Sequence, residues 1–254
     1  MPNPFSDDAM AAGYAAARPP VHAHVIALLR EWLGTAHVGV AADLGCGAGL
    51  SLRPLLAMAD TCIGIDPAAA MVRAARTAVP EAHVTVGSAE AVPLRATCVD
   101  LLTAAGSLNY VPDIGAAWHE AGRVLKQTGT LAVYDFSAGR SFGDDDGLDR
   151  WFETFVSRYP PPAGQARALS PDIIAATARG FGIVRAGDFA IPLPLSPSFH
   201  VEYMLTETNV QDAVRRGTPL DEIRAWCAAT LPAVFGHRDR DVVFRGYLAV
   251  LRPR

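Results

Sequence analysis

The stretch Asp43-Leu44-Gly45-Cys46-Gly47-Ala48-Gly49 places three glycines at alternate positions directly behind an apolar run. Glycine admits positive φ and lets a ligand approach the backbone where a Cβ would clash. A helical pattern begins at Leu50, so the unpaired N–H groups of its first turn point at the same spot. A strand, a tight glycine turn and a helix start of this kind suit an elongated polar ligand such as a nucleotide. The dinucleotide fingerprint puts its third glycine three residues after the second. That position is Leu50 here, which argues against a nicotinamide ligand.

Other residues able to do chemistry fall at the ends of apolar runs. Asp66-Pro67 closes one run about 20 residues beyond the loop, where a carboxylate can accept both hydroxyls of a ribose. Because Pro67 follows it, Asp66 also reads as a helix cap. Ser88-Ala89-Glu90 follows the next run, and Ala105-Gly106-Ser107-Leu108-Asn109-Tyr110 the one after. Tyr134 and Asp135 close a fifth. Farther on, His200, Glu202, Tyr203, Glu207 and Asn209 lie in a segment with helical character, which puts Glu202, Tyr203 and Glu207 near one face. Asn109, Tyr110, His200 and Glu207 are the candidates for catalysis. Asn109, Tyr110, Trp151, Phe155, Phe199, Tyr203 and Glu207 are candidates for contact with a substrate. The aromatic residues Trp151, Phe152, Phe155, Tyr159, Phe199 and Tyr203 either form a small core of their own or line an apolar pocket.

The elements that must position these groups alternate regularly. Strands are expected at Val40–Leu44, Thr61–Ile65, His83–Val86, Val99–Ala104 and Thr130–Asp135. Helices are expected at Val21–Leu33, Leu50–Ala59 (kinked or delayed by Pro54), Ala68–Val79 and Ile114–Leu125, with Lys126–Gly129 as a turn. This alternation argues for a parallel sheet covered on both faces. Ligands of such sheets bind outside the carboxyl ends of the strands. After Asp135 the order changes. Ser137–Leu148 reads as an exposed loop, Trp151–Tyr159 as an aromatic helix, and Ser170-Pro171 as a capped helix start running to Arg179. Ile183–Leu195 reads as extended, Phe199–Val214 and Leu220–Leu231 as helices, and Asp241–Leu251 as a last strand. The helices between about 196 and 234 therefore form an insertion, a lid over the carboxyl edge of the sheet. His22 and His24 are two apart, off one helix face, and are read as surface residues.

Taken together, Asp43-x-Gly45-x-Gly47-x-Gly49, the Gly87-Ser88-Ala89-Glu90-Ala91-Val92-Pro93-Leu94 segment, the Val99–Asp113 strand and its end, and Glu120-x-x-Arg123-Val124-Leu125-Lys126 resemble, in order and spacing, the motifs of the class I S-adenosylmethionine-dependent methyltransferases. The resemblance covers residues 11 to 136. It implies a Rossmann-like α/β fold: a seven-stranded mixed sheet with the last strand antiparallel, flanked by helices and carrying the helical lid insertion. It further implies S-adenosyl-L-methionine as cofactor and S-adenosyl-L-homocysteine as product. On that resemblance the cofactor-binding residues are Tyr14, Arg18, Asp43, Gly45, Cys46, Gly47, Asp66, Pro67, Ser88, Ala89, Glu90 and Ala105, with Asp43 anchoring the loop or the cofactor's amino group. Ser88 stands where the family usually has aspartate. Tyr14-x-x-x-Arg18-Pro-Pro is similar to the N-terminal arm of many small-molecule methyltransferases, which folds over the mouth of the site, so Tyr14 also counts among the substrate contacts. Arg18 is placed to pair a carboxylate acceptor.

Composition bounds the rest. The 254 residues, half of them hydrophobic, fit a single domain: an arm and helix over 1–36, a cofactor half over 37–136 and a substrate half over 137–254. The formal net charge of −4 and the lack of a basic run disfavour nucleic acid. No apolar run approaches the roughly 20 residues needed to span a bilayer, and the four cysteines include no C-x-x-C pair. A cytoplasmic protein without a metal site is expected, a monomer or homodimer acting on a small molecule, with secondary metabolism as its setting. The expected reaction is methyl transfer by in-line displacement, to oxygen or nitrogen first and carbon next. The rival readings are an enzyme that uses the bound sulfonium for cyclisation or decarboxylation, a non-catalytic binding protein, and a protein substrate in place of a small one.

Overall fold

The short run Val38–Leu44 (β1), which is buried toward its C-terminal end, is the third strand of a seven-stranded sheet. A computed structural model of the chain describes residues 17–162 and 166–254; Tyr14 lies outside the described residues. β1 pairs in parallel with β2 (Ala59–Asp66) on one side and β4 (Val99–Ala105) on the other. β3 (His83–Val86) and β5 (Leu125–Phe136) extend the parallel array at either side. β7 (Arg240–Pro253) inserts antiparallel between β5 and β6 (Phe181–Leu195), completing the order β3-β2-β1-β4-β5-β7-β6. This is the mixed sheet with an antiparallel last strand that the motif order implies.

Helices cover both faces. α1 (Val21–Leu33) buries Val21, Val25, Ile26 and Leu29 on one face, the spacing of an amphipathic helix. α3 (Ala69–Ala78) and α4 (Ile114–Val124) return the chain between parallel strands. α4 starts at Asp113, whose carboxylate accepts from Ala116 N–H at 3.0 Å. The helix after the glycine loop is much shorter than expected: α2 spans only Leu52–Leu55. Ala57 and Met58 donate to carbonyls three residues back, Pro54 and Leu55. That tightened turn brings Leu52, Leu55 and Met58 into the core and lets β2 begin at Ala59, opposite Val38. Lys126–Gly129 do not form a free turn either. They are the extra residues of an irregularity in β5, between the pairings Val99↔Leu125 and Leu101↔Thr130.

α5 (Gly147–Arg158) and α6 (Pro171–Thr177) follow β5. The expected cap is present, Ser170 Oγ accepting from Ile173 N–H at 3.3 Å. The loop before α5 is pinned rather than free. Phe142 is buried against Phe235, with the Arg240 guanidinium 3.7 Å above its ring. The segment between β6 and β7 folds as three helices: α7 (Pro197–Leu205), α8 (Thr208–Arg215) and α9 (Leu220–Val234). The single helix expected over Phe199–Val214 breaks at Thr206-Glu207, where the Thr206 hydroxyl bonds Tyr203 C=O at 2.7 Å. Within α7, Glu202 pairs with Arg224 on the outside while Tyr203 is buried, and Glu207 stands beyond the break.

Candidate functional site

The ends of β1, β2, β4 and β5 open into one cleft of about 1080 Å³, bounded by Arg18 and His22 on one side and by Tyr203, Glu207 and Thr208 on the other. Its floor is the glycine loop. Gly45 and Gly47 have φ of +69° and +53°. A Cβ on Gly45 would collide with the Ser107 side chain, whereas one on Gly47 would meet no protein atom because it would project into open space. The loop is held from below. Gly45 and Cys46 N–H donate to Ile65 C=O at 2.7 and 3.1 Å.

Asp43 is fully buried beneath this loop and does not line the cleft. Ser51 Oγ and Thr103 Oγ1 each donate to its carboxylate at 2.5 Å. Burial raises its pKa to about 6 against the two hydroxyl bonds, and the charge of Asp66 pushes it the same way. Of the two roles open to Asp43, the contacts are those of a loop anchor. Cys46 also misses the cleft. Its thiol turns inward against Gly64, and burial, then the charges of Asp43 and Asp66, push its pKa up. This is an inert thiol.

Asp66 takes the helix-entry role that the sequence offered and also holds the glycine loop. Its Oδ1 accepts from Ala68 N–H at 2.8 Å at the entry to α3, and its Oδ2 accepts from Gly47 N–H at 2.9 Å. Each oxygen keeps acceptor capacity beyond that one bond, and Asp66 lines the cleft. Burial raises the Asp66 pKa, opposed by the Ala68 and Gly47 bonds. Pro67, Ser88, Ala89, Glu90 and Ala105 line the same half. The segment after Glu90 is clamped by the Glu120-x-x-Arg123 pair on α4. Glu120 accepts from Val92 N–H at 2.8 Å, while Arg123 donates to Val92 and Leu94 C=O at 2.8 Å and pairs with Glu120 at 2.6 Å.

The other half is assembled from distant residues. Asn109 and Tyr110, in a 3₁₀ turn after β4, line it. Asn109 Nδ2 donates to Asp135 Oδ2 at 2.6 Å, and Phe136 N–H donates to Oδ1 at 2.8 Å. An amide so engaged positions a carboxylate and is not itself a base. Burial raises the Asp135 pKa, again against its hydrogen bonds. Arg18 reaches across to the insertion, 3.1 Å from Glu207 Oε1 and 3.1 Å from Thr206 C=O, with its guanidinium 5.1 Å over the Tyr203 ring.

Four expected contacts fall elsewhere. Trp151 and Phe155 stack on each other at 5.2 Å and on Trp226 at 5.4 and 6.3 Å, and Trp151 Nε1 donates to Thr230 at 2.8 Å. These rings make the core between α5 and α9, because that is where the apolar face of α5 meets a partner helix. Phe199 packs on the same core. His200 is fully buried among Trp151, Tyr203 and Phe235, and neither ring nitrogen has a hydrogen-bond partner among the described residues. Burial drives its pKa down to about 3, and it has no route to an acceptor. His22, read as a surface residue, instead lines the cleft and hydrogen-bonds Tyr134. Its position one turn before the core residues Val25 and Ile26 was the available signal.

The arrangement can be set beside known proteins. Residues 42–133 match the methyltransferase domain family. The ubiquinone biosynthesis O-methyltransferase of Rhodopseudomonas palustris (strain BisB5) is 28% identical over 182 residues, 64% of this chain and 68% of that one. A methyltransferase domain thus occupies residues 42–133, and the chain resembles the class I S-adenosylmethionine-dependent methyltransferases. Among solved structures, a protein from Anaeromyxobacter dehalogenans proposed to be a type II methyltransferase superposes with a TM-score of 0.65 at 23% identity, covering 89% of this chain and 95% of that one. A further ubiquinone biosynthesis O-methyltransferase, from Azorhizobium caulinodans, is 32% identical over 95 residues, 36% of this methyltransferase and 38% of the relative. The chain thus spans well under half the length of that relative. Among the described residues no helix is long and apolar enough to cross a membrane, and no group of three or more metal-ligating side chains occurs.

Proposed function

We propose that this methyltransferase moves the methyl group of S-adenosylmethionine to a small organic acceptor, oxygen or nitrogen first and carbon next, by in-line displacement beneath the insertion. One observation carries the reading: a single cleft runs from the glycine loop and Asp66 to Asn109, Asp135 and Tyr203. The residues present fit the cofactor. Gly47 leaves open space where a side chain would stand, and Asp66 offers a carboxylate with lone pairs to spare. Asp66, Glu90, Asp135 and Glu207 give the lining an acidic character, which suits a ligand bearing a sulfonium and an ammonium. Asp66 would hold the ribose, Ser88 to Glu90 the adenine side, and the glycine loop with Arg18 the methionine side. When bound, the cofactor supplies an electrophilic methyl carbon on a positively charged sulfur.

What the chain contributes beyond binding is placement of the acceptor. Asn109 fixes the Asp135 carboxylate at the end of β5, where it can accept a proton or hold an acceptor's N–H or O–H. The Arg18–Glu207 contact joins the segment before α1 to the insertion at the edge of the cleft. A small acceptor and an aqueous, cytoplasmic setting are parts of the same proposal, with secondary metabolism as the setting in view.

Calorimetric titration of S-adenosylmethionine into the protein, with Asp66→Ala beside it, tests the reading. Micromolar binding lost in the variant supports it. Binding of NADH in place of S-adenosylmethionine would overturn it. A cofactor-binding protein that turns over no acceptor in a methyl-release screen would favour the binding-module or sulfonium-cyclase alternatives.

A further inference from the structure

His22 lies in the first turn of α1 and lines the acceptor side of the cleft. Its ring stands edge-on to Tyr134 and Phe136 from β5, with centroids 5.8 and 5.2 Å away. Its Nδ1 is 2.9 Å from the Tyr134 hydroxyl. Either partner can donate in such a pair, and the surroundings decide which does. Tyr134 is 1% exposed, and among the described residues its hydroxyl has no partner other than His22. Were the proton on Nδ1, the phenolic hydrogen would be buried with nothing to receive it. A buried donor left unsatisfied costs about 1–3 kcal/mol. Tyr134 therefore donates to Nδ1. In a neutral imidazole this leaves the ring proton on Nε2.

Neutrality is enforced as well. Burial first, and then the positive charge of Arg18, hold the His22 pKa at about 4. Nε2 makes no hydrogen bond within the described residues, yet it is not one of the sealed, unpartnered polar atoms. It is the polar atom that the ring has left to offer the cleft.

We propose that His22, locked by Tyr134 as the Nε2–H tautomer, donates a hydrogen bond to an oxygen of the methyl acceptor, so that the cleft takes phenolic, enolic or carbonyl-bearing acceptors in preference to amines. The acceptor class rests on the methyl-transfer reading; the tautomer does not. An Nε2 that carries the proton has no lone pair with which to act as a general base. The ring neither takes nor gives a proton and works by holding and polarising the acceptor oxygen. An ammonium acceptor would set N–H against N–H beside Arg18, and a neutral amine that accepted from Nε2–H would have its lone pair masked from the methyl carbon.

The tautomer is read directly from long-range proton–nitrogen correlation spectra of protein labelled with ¹⁵N-histidine, with His22→Leu supplying the assignment. The expected result is the Nε2–H pattern for His22 at neutral pH, unchanged through the ordinary histidine range, and a mixture of tautomers in Tyr134→Phe. An Nδ1–H pattern, or protonation near the ordinary histidine value, would overturn the assignment. The same protein, saturated with S-adenosylhomocysteine, is then titrated with 2,3-dihydroxynaphthalene and with the isosteric 2,3-diaminonaphthalene. The diol is expected to shift the His22 signals and to bind about tenfold more tightly than the diamine, a difference of about 1.4 kcal/mol. His22→Leu is expected to remove that preference, and His22→Gln, which keeps an N–H at similar reach, to restore most of it. Equal binding of the two probes, no binding of the diol, or an unmoved preference in His22→Leu would overturn the oxygen-acceptor class. Failure of S-adenosylhomocysteine itself to bind would count against the methyl-transfer reading instead, with the tautomer still decided by the first spectra.

Discussion

Asp43→Asn should stabilise the protein at alkaline pH, although it removes a charge from the start of the glycine-loop motif. Asp43 is fully buried, and its pKa is raised from 3.8 to about 6, burial outweighing two hydroxyl bonds. A raised carboxylate pKa means that the folded state binds this proton more tightly than the unfolded chain does. Between about pH 4 and pH 6 the folded state then holds the extra proton, so stability falls as pH rises through that window and the loss is complete above it. At about 1.36 kcal/mol for each pKa unit, the ionised carboxylate costs about 3 kcal/mol at pH 8. Asparagine is nearly isosteric. Its carbonyl can accept from Ser51. Its amide can donate to the Thr103 hydroxyl, which can turn its own proton to Ala42 C=O at 3.3 Å. The expected gain at pH 8 is on the order of 1–3 kcal/mol, falling to about half at pH 5, where the wild-type carboxylate is already mostly protonated. Urea unfolding of both proteins at the two pH values measures this difference, with all other titrations cancelling. Asp43→Ala should instead destabilise by a few kcal/mol, roughly 1–3 for each buried hydroxyl left without an acceptor. If the Asp43→Asn variant proved less stable than wild type at pH 8, and the gap did not close toward pH 5, the assignment of Asp43 as a strained loop anchor would be wrong.

Two further outcomes follow from the half-buried Glu120 and the buried His200. Glu120→Ala removes the acceptor of Val92 N–H and the partner of Arg123; hydrogen bonds to charged groups are worth about 1.5–3 kcal/mol, so unfolding should ease by that order and S-adenosylmethionine affinity should weaken severalfold, and calorimetry showing neither would refute the clamp. His200→Leu should flatten the acid limb of stability: with a folded pKa of about 3 against 6.5, wild type loses stability as pH falls below the unfolded value, so the variant's advantage should grow by about 2 kcal/mol between pH 7.5 and pH 5 in urea titrations, and a constant gap would mean that His200 is solvated.

The cofactor half of the site was legible because each of its parts is local. The glycine loop, Asp66 and the Ser88–Glu90 segment each follow directly on the strand that carries them, and their spacing along the chain is the spacing of strand ends across the sheet. Even there, burial was hidden: nothing in the sequence distinguishes Asp43 and Cys46, which turn into the core, from Gly45 and Gly47, which face the cleft. The aromatic residues of the insertion were legible as a group but not in their destination. An apolar face pairs with whichever helix the topology brings to it, and for Trp151 and Phe155 that helix is α9, with Trp226 on it.

The acceptor half resisted sequence reasoning for a different reason. Its pairs are Arg18 with Glu207, His22 with Tyr134 and Asn109 with Asp135, separated by much more of the chain than any motif spans. Each pair joins groups whose types are ordinary on a surface and acquire meaning only when the partner is known. His22 illustrates this most clearly. As one of two histidines at an off-face spacing it reads as solvent-exposed, yet Tyr134, which reads as the end of a buried strand, supplies the hydroxyl that fixes its tautomer. The first turn of α1 meets the end of β5 through that pair, next to the strands that continue into the insertion, so a change at residue 22 alters the acceptor half without touching the glycine loop. Substitutions there should therefore move acceptor preference and leave cofactor affinity nearly constant at His22, whereas at Arg18, which faces both halves, the two should move together.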